Sequence, residues 1–291
     1  MKALIIMNGY PNGEKFYRQS GRIQEELIKL GVETDVKRNG EITAKLLENG
    51  EIATNVNGYD FVLYLDKDKY LSRLLEGAGL RVFNSSSAIE ICDDKALTYL
   101  ALRKSGLKIP KTVFAPLCYT PNAKPSESFL SEAESLGYPI VAKKSYGSFG
   151  AGVALVRNRN DLEKIEKEWL YQPHFYQEFV GKAGKDIRVI VIGGKAVASM
   201  ERIAKEGEFR SNIELGGRGE SIDLPEAYRK TAEAVARELR LDYCGVDLLE
   251  GETPIVCEVN SNAFFEGVES VTGINVAKAY AEYMINTVKN K

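Results

Sequence analysis

The first part of the chain alternates short apolar runs with amphipathic stretches, and that alternation restricts the fold more than any other feature. Residues 3–7 are a continuous apolar run, as in a parallel strand buried on both faces. Across residues 18–30, Ile23, Leu27, Ile28 and Leu30 recur at helical spacing, and Gly31 follows as a stop. Val32, Thr34 and Val36 alternate as a half-buried strand, and residues 61–65 form another apolar run. A helix over 70–76 ends at Gly77 and Gly79, and residues 81–83 close the unit. Strands that alternate with helices predict a parallel sheet covered on both faces.

The rhythm then changes. A helix is expected over 93–105, with Leu97, Leu100 and Ala101 on one side, and a new strand after Pro110. Residues 116–128 are rich in Pro, Asn and Ser and read as an exposed loop. A helix over 127–136, strands over 140–144 and 153–157, and an amphipathic helix over 161–169 follow. In the last third, two β-branched runs, 186–193 and 195–202, meet at Gly193-Gly194, a hairpin signal. A helix over 226–239, a second hairpin over 242–250 and 254–260, and a closing helix over 275–288 complete the chain. These changes of pattern divide it into residues 1–92, 93–172 and 173–291.

Composition narrows the function classes. Of the 291 residues, 44% are hydrophobic and 27% charged, which suits packed domains. The net charge is −2 and no basic run stands out, so a nucleic-acid partner is not expected. No run approaches the ~18 apolar residues that a membrane span requires. The apolar start at residues 3–7 is too short for a secretion signal. Cys92, Cys118, Cys244 and Cys257 include no C-x-x-C pair, so zinc and dithiol chemistry are not indicated. All four are expected to be packing residues in a reducing, cytoplasmic compartment.

The sharpest chemical signal is the second hairpin, Gly245-Val246-Asp247-Leu248-Leu249-Glu250 and Pro254-Ile255-Val256-Cys257-Glu258-Val259-Asn260. Side chains alternate along a strand, so Glu258 and Asn260 share a face. A turn centred on Glu252-Thr253 places Asp247 opposite Glu258. Val246, Leu248, Val256, Cys257 and Val259 read as core around them. Carboxylates there are costly to bury unless something compensates their charge. Mg²⁺ takes one or two carboxylates together with substrate phosphates, which matches this sparse set. An exposed strand face with scattered acids is the competing reading.

Two further segments point to phosphate. Lys143 ends an apolar strand and is followed by a loop with Gly147, Gly150 and Gly152. Glycines let backbone N–H groups approach phosphate oxygens closely. The loop is neither a Walker loop nor a dinucleotide turn, since it lies between two strands; alone, it could equally be a glycine-rich hairpin. Glu208-Phe209-Arg210-Ser211-Asn212 offers an arginine fork and an amide for phosphoryl oxygens, although ordinary turn residues would read the same way. Together, metal ligands, a phosphate lysine, a glycine lid and an arginine are what nucleotide phosphoryl transfer needs. The single histidine, His174, lies beside Phe175-Tyr176 and reads as structural.

These residues resemble the ATP-grasp superfamily and, within it, the RimK-like glutamate ligases. The likeness runs from Asp94 to Ala277 and is most specific at Gly184-Lys185-Asp186-Ile187-Arg188, Met200-Glu201-Arg202, residues 207–212, Gly245-Val246-Asp247 and Glu258-Val259-Asn260. It implies an α/β and α+β architecture: a pre-ATP-grasp parallel-sheet domain (1–92), a central lobe (93–172) and a C-terminal lobe with the metal site (173–291), with ATP between the lobes. It implies Lys95 and Lys143 on the ATP phosphates, Glu178 and Phe179 at adenine, and Asp186 toward the ribose. It places Arg210, Ser211 and Asn212 on the nucleotide and transferred phosphate, with Arg210 and Asn212 catalytic. Asp247, Glu258 and Asn260 are implied as ligands of two Mg²⁺ or Mn²⁺ ions. After Glu-x-Asn, relatives often continue into a Pro-Gly loop; here the chain reads Ser261-Asn262-Ala263-Phe264-Phe265-Glu266-Gly267, and the paired phenylalanines are expected to reshape the acceptor pocket.

The expected activity is therefore an ATP-dependent carboxylate–amine ligase. It would activate a small-molecule or peptide carboxylate as an acyl phosphate, release ADP and phosphate, and add glutamate or another amino acid. A phosphotransferase and a nucleotide-binding regulator are the rivals. Homo-oligomerisation is left open.

Overall fold

A computed structural model describes residues 1–11, 13–213 and 216–290. The first sheet has four parallel strands in the order β2-β1-β5-β6, formed by β1 (Lys2–Met7), β2 (Glu33–Arg38), β5 (Phe61–Leu65) and β6 (Val82–Phe83). Every residue of β5 is buried. Helices α1 (Glu14–Lys29) and α2 (Lys69–Gly77) flank the sheet, and a small hairpin, β3 (Ala44–Leu46) and β4 (Ile52–Thr54), packs near α2.

Two helices lead out of this unit, α3 (Ser86–Asp93) and α4 (Lys95–Leu102), where the spacing suggested one helix over 93–105. Asp94 explains the break. Its backbone is extended, and its carboxylate accepts from Ala96 N and Leu97 N at 2.9 and 3.2 Å. Asp94 is thus the N-cap of α4, which puts Lys95 at the first helical position.

The second sheet is antiparallel in the order β7-β10-β8-β9: β7 (Thr112–Phe114), β8 (Ile140–Lys144), β9 (Val153–Val156) and β10 (His174–Glu178). Helices α5 (Glu127–Glu134) and α6 (Arg159–Trp169) close a separate core around Leu130, Ile140, Leu162 and Tyr176. Buried His174 bonds Glu166 through Nε2 at 2.7 Å and the Gln172 carbonyl through Nδ1 at 2.7 Å, within this core.

The third sheet is antiparallel in the order β13-β12-β11-β14-β15: β11 (Lys185–Ile192), β12 (Lys195–Ile203), β13 (Arg218–Ser221), β14 (Tyr243–Leu249) and β15 (Ile255–Asn260). Helix α7 (Glu226–Glu238) packs on one face with α3 and α4. On the other face, α8 (Glu266–Thr272) and α9 (Val276–Lys289) share a core with the first sheet, including Ile5, Phe61, Ile190, Tyr243, Phe265 and Tyr280. Asn84 pins this junction: its amide nitrogen donates to the Tyr243 and Ser261 carbonyls, and its oxygen accepts from Asp242 N and Tyr243 N. The first and third sheets are thereby joined as one base, and the second sheet stands over a cleft against the third.

Candidate active site

The cleft between the second and third sheets has a volume of about 880 Å³. β8 supplies Lys143 to it and the following loop supplies Gly147 and Gly150; β11, β12, β14 and β15 supply Asp186, Arg202, Asp247 and Glu258. Lys95, Gln177, Glu178, Phe179, Arg210, Ser211 and Asn212 complete the lining. Of the fourteen residues expected from the sequence, the structure brings twelve to this one cavity; Gly152, at the end of the loop, abuts Lys144, and Asn260 opens on the adjoining chamber.

The cationic side is built from two lysines. Lys143 is 8% exposed, and its ammonium lies 3.4 Å from Tyr99 Oη and 4.0 Å from Cys257 Sγ. Burial opposes its charge, but Cys257, Tyr99 and Glu258 around it outweigh that and raise its pKa. Lys144 points the other way, its ammonium 5.0 Å from the Trp169 ring. Lys95 donates to the Gly147 carbonyl at 2.6 Å and lies 3.5 Å from the Glu258 carboxylate. At Gly147 φ is +138°, and a Cβ would sit 2.8 Å from the Ala151 carbonyl, so only glycine fits there. Arg210 reaches this loop, donating to the Gly150 carbonyl at 3.0 Å while it pairs with Glu208. That pairing holds the Glu208 carboxyl down at about 2.

The anionic side is a chain of cross-strand pairs. Asp247 accepts from Arg188 Nε and Nη2 at 2.8 and 2.7 Å, and from Arg202 Nη2 at 2.7 Å. Arg202 also holds Asp186 through Nε at 2.7 Å and Nη2 at 2.5 Å, and the Ser211 hydroxyl donates to the same Asp186 carboxylate. Burial alone would push the Asp247 carboxyl up; Arg188 and Arg202 reverse that and hold it below the ordinary range. Glu178 takes a different role at the entrance: its carboxylate accepts from Lys111 N at 2.9 Å and ties β10 to the segment before β7.

The register pairs Asp247 with Glu258 as expected, but not through the expected turn: next to the turn Leu249 faces Ile255 and Leu248 faces Val256, a register centred on Glu252 and not on Glu252-Thr253. Immediately after this pair, Leu248 faces Val256, so Cys257 is the extra residue of a β-bulge. The bulge corrects one expectation: Cys257 lines the cleft instead of lying in the core. Burial pushes its thiol up to about 11, so it is neutral at pH 7. Phe264 and Phe265 also part company, since Phe265 is 1% exposed in the core and only Phe264 lines a cavity.

Arg188 and Arg202 had no assigned role, and neither did Tyr99. The signal was present: both arginines interrupt apolar, β-branched strands, and Arg188 shares a strand face with Asp186. Tyr99 carried no such mark; its hydroxyl donates to the Cys257 carbonyl, a contact across 158 positions.

The carboxylate oxygens suit a hard cation. Glu258 is partly open to the cleft, and Asp247 lies beside it with one lone pair, on Oδ1, left beyond its three arginine bonds. Among the described residues no cluster of three or more His, Cys, Asp or Glu side chains could hold a metal alone. A cation here would complete its shell with substrate phosphate oxygens. Among the same residues, no helix is long and apolar enough to cross a membrane.

The family model for the RimK-like ATP-grasp domain matches residues 92–284. A probable alpha-L-glutamate ligase of Thioalkalivibrio sulfidiphilus is 39% identical over 209 residues, 70% of this chain and 67% of that protein. Human N-acetylaspartylglutamate synthase A is 34% identical over 230 residues, 78% of this chain but 58% of its own length. In three dimensions, the ATP-grasp ligase PsnB, solved with a phosphomimetic variant of its minimal precursor, Mg and ADP, superposes with a TM-score of 0.70 at 20% identity, covering 98% of this chain and 97% of PsnB. That likeness establishes the ATP-grasp fold, and the family match with the sequence relatives establishes kinship: the chain belongs to the RimK-like ATP-grasp family.

Proposed function

We infer that this ATP-dependent carboxylate–amine ligase works through an acyl phosphate, with the ATP phosphates between the lysine side and the acid side of the cleft. The observation that carries the reading is this meeting of Lys95, Lys143 and Arg210 with Asp247 and Glu258 in one cavity. In this reading, Lys95 and Lys143 bind the phosphates, and Arg210 steadies the phosphoryl group in transfer. Loop residues 147–152 exclude water, with their glycines at the phosphates and Gly152 shaping the turn. Glu178 and Phe179 lie at the adenine end, with Asp186 and Ser211 toward the ribose. Asp247, Glu258 and Asn260 would hold Mg²⁺, and two ions would fit the family pattern. The metal supplies charge neutralisation at the phosphates when bound.

The substrate carboxylate attacks the γ-phosphorus, the bond from phosphorus to the bridging oxygen breaks, and ADP leaves. The amine then attacks the acyl carbon, loses a proton and expels inorganic phosphate, giving the amide. The carboxylate that accepts from Ser211 is already held by the Arg202 guanidinium and is a poor base, and the Cys257 thiol is neutral, so neither is activated as a nucleophile. The relatives carry names of ligases that add glutamate, which supports an amino acid as the amine and a small-molecule or peptide carboxylate. A regulator or a phosphotransferase is not favoured, since these relatives are named for joining two substrates.

The test is a screen of carboxylates with ATP, Mg²⁺ and hydroxylamine. A hydroxamate with equimolar ADP and no AMP is expected. An amide formed with release of AMP and pyrophosphate would overturn the acyl phosphate.

A further inference from the structure

A second chamber of about 1020 Å³ adjoins the nucleotide cleft, and Asn212 and Glu258 line both. Arg188 stands at this shared end. Among the described residues its hydrogen bonds go to Asp247 through Nε and Nη2, which leaves Nη1 for another acceptor.

The opposite wall is aromatic and comes from three separate segments. Phe16 lies on α1, Phe149 on the glycine loop, and Phe264 after β15. Phe16 meets Phe264 edge to face at 5.1 Å, and Phe149 lies 5.9 Å from Phe264 with the rings inclined by 34°. The Lys15 ammonium sits 3.3 Å from the centre of the Phe149 ring. Phe149 is nonetheless 40% exposed, and its φ of +59° is unusual for a bulky residue. A loop tip that served only to exclude water would need no ring facing a chamber.

Among the described residues, the two cations that line the chamber are paired with acids, Arg188 with Asp247 and Lys67 with Asp93 at 2.8 Å, while the Lys15 ammonium lies over the Phe149 and Phe264 rings. With Arg188 and Lys67 already paired, the surface that distinguishes the chamber is the flat area of its rings.

We propose that this chamber takes the carboxylate substrate, and that the substrate is a carboxylate borne on an aromatic or otherwise flat, unsaturated body read by Phe149 and Phe264. The reacting carboxylate lies at the Arg188–Glu258 end, beside the phosphates. The body stacks against the rings, so the loop that covers the nucleotide also selects the acceptor. The inference rests on the ligase reading above.

The experiment is titration calorimetry of the whole chain, first saturated with Mg-ADP, using two probes: N-benzoylglycine and N-acetylglycine. They share the carboxylate and amide and differ in a phenyl ring that takes the place of a methyl group. The benzoyl probe should bind about tenfold tighter, the effect of one well-stacked ring. In Phe149→Ala and Phe264→Ala the ratio should fall to about one, and Phe149→Tyr should restore it. Equal affinity for the two probes, or binding of neither by a protein that binds Mg-ADP, would overturn the proposal. So would a Phe149→Ala enzyme that weakens both probes equally, as a water-excluding loop would. Hydroxamate formation from both probes at similar KM would leave the ligase reading standing and remove this one.

Discussion

Arg188 and Asp247 face each other across β11 and β14 and are joined by a two-pronged hydrogen bond, at 2.8 and 2.7 Å. Arg202 holds the same carboxylate from the other side. The two guanidinium groups fix how Asp247 is presented toward Glu258. Orienting partners of this kind typically matter about 10- to 100-fold for metal affinity. Arg188→Ala should raise the Mg²⁺ concentration for half-maximal activity by about tenfold. A Mg²⁺ titration of phosphate release checks it, and an unchanged midpoint would mean that Arg202 alone suffices.

Glu258 should be the less replaceable acid, because it is the one open to both chambers. Glu258→Gln keeps the shape and removes the charge. Turnover should fall at least about a hundredfold while the thermal midpoint changes little, since the side chain is not part of the core. Ordinary activity in this variant at millimolar Mg²⁺ would show that the metal is held elsewhere.

Lys143 and Lys144 are neighbours in sequence and opposites in space. Lys143 is buried at the cleft, and Lys144 lies over Trp169. Lys143→Met should weaken ATP binding by about a hundredfold, as loss of a desolvated charge contact does. Lys144→Met should change ATP affinity by less than about threefold, because it loses only a ring contact on the face away from the cleft. ATP titrations of the two variants decide between them.

Arg210 bridges Glu208 and the Gly150 carbonyl. Arg210→Ala should still bind ATP but lose about a hundredfold in hydroxamate formation, the usual effect of removing a donor that stabilises transition-state charge. A loss confined to ATP affinity would reassign the residue to ground-state binding.

Glu26 joins α1 to α9, accepting from Lys29 at 2.9 Å and from Asn275 and Arg22 at 3.2 Å each. The Lys29 bond is the largest cause; it and the other two donors outweigh burial and bring the carboxyl down to about 2. A lowered folded-state pKa stabilises the fold above the unfolded value near 4.5 and loses that effect as the pH falls toward 2. Glu26→Gln should therefore cost about 2 kcal/mol at pH 7, as charged hydrogen bonds do. The gap to the parent protein should narrow steadily below about pH 5. Urea melts at several pH values would show it, and a gap constant down to pH 3 would count against the ionised contact.

Local chemistry made much of this legible in the sequence. Strand and helix periods are local, so the parallel unit and both hairpins of the third sheet could be read directly. A turn centred on Glu252-Thr253 would set Asp247 opposite Glu258, but the strands beside the turn are centred on Glu252, and the bulge supplies the one-residue difference that brings the two acids face to face. Alternation along one strand puts Lys143 and Lys144 on opposite faces, and the family resemblance chooses Lys143 as the one at the phosphates. Tertiary structure alone decided the rest. The bulge at Cys257 adds one residue to one strand, and a rule of strict alternation cannot register it. The break at Asp94 depended on whether its carboxylate would cap a new helix or face solvent. Phe264 and Phe265 have the same side chain, and only the packing of the first sheet against the third buried one and left the other in a chamber. Phe16 and Phe264 meet across more than two hundred positions because the core shared by the first and third sheets brings α1 to the end of β15, while Phe149 reaches Phe264 from the loop of the second sheet across the cleft, and no local period encodes either contact.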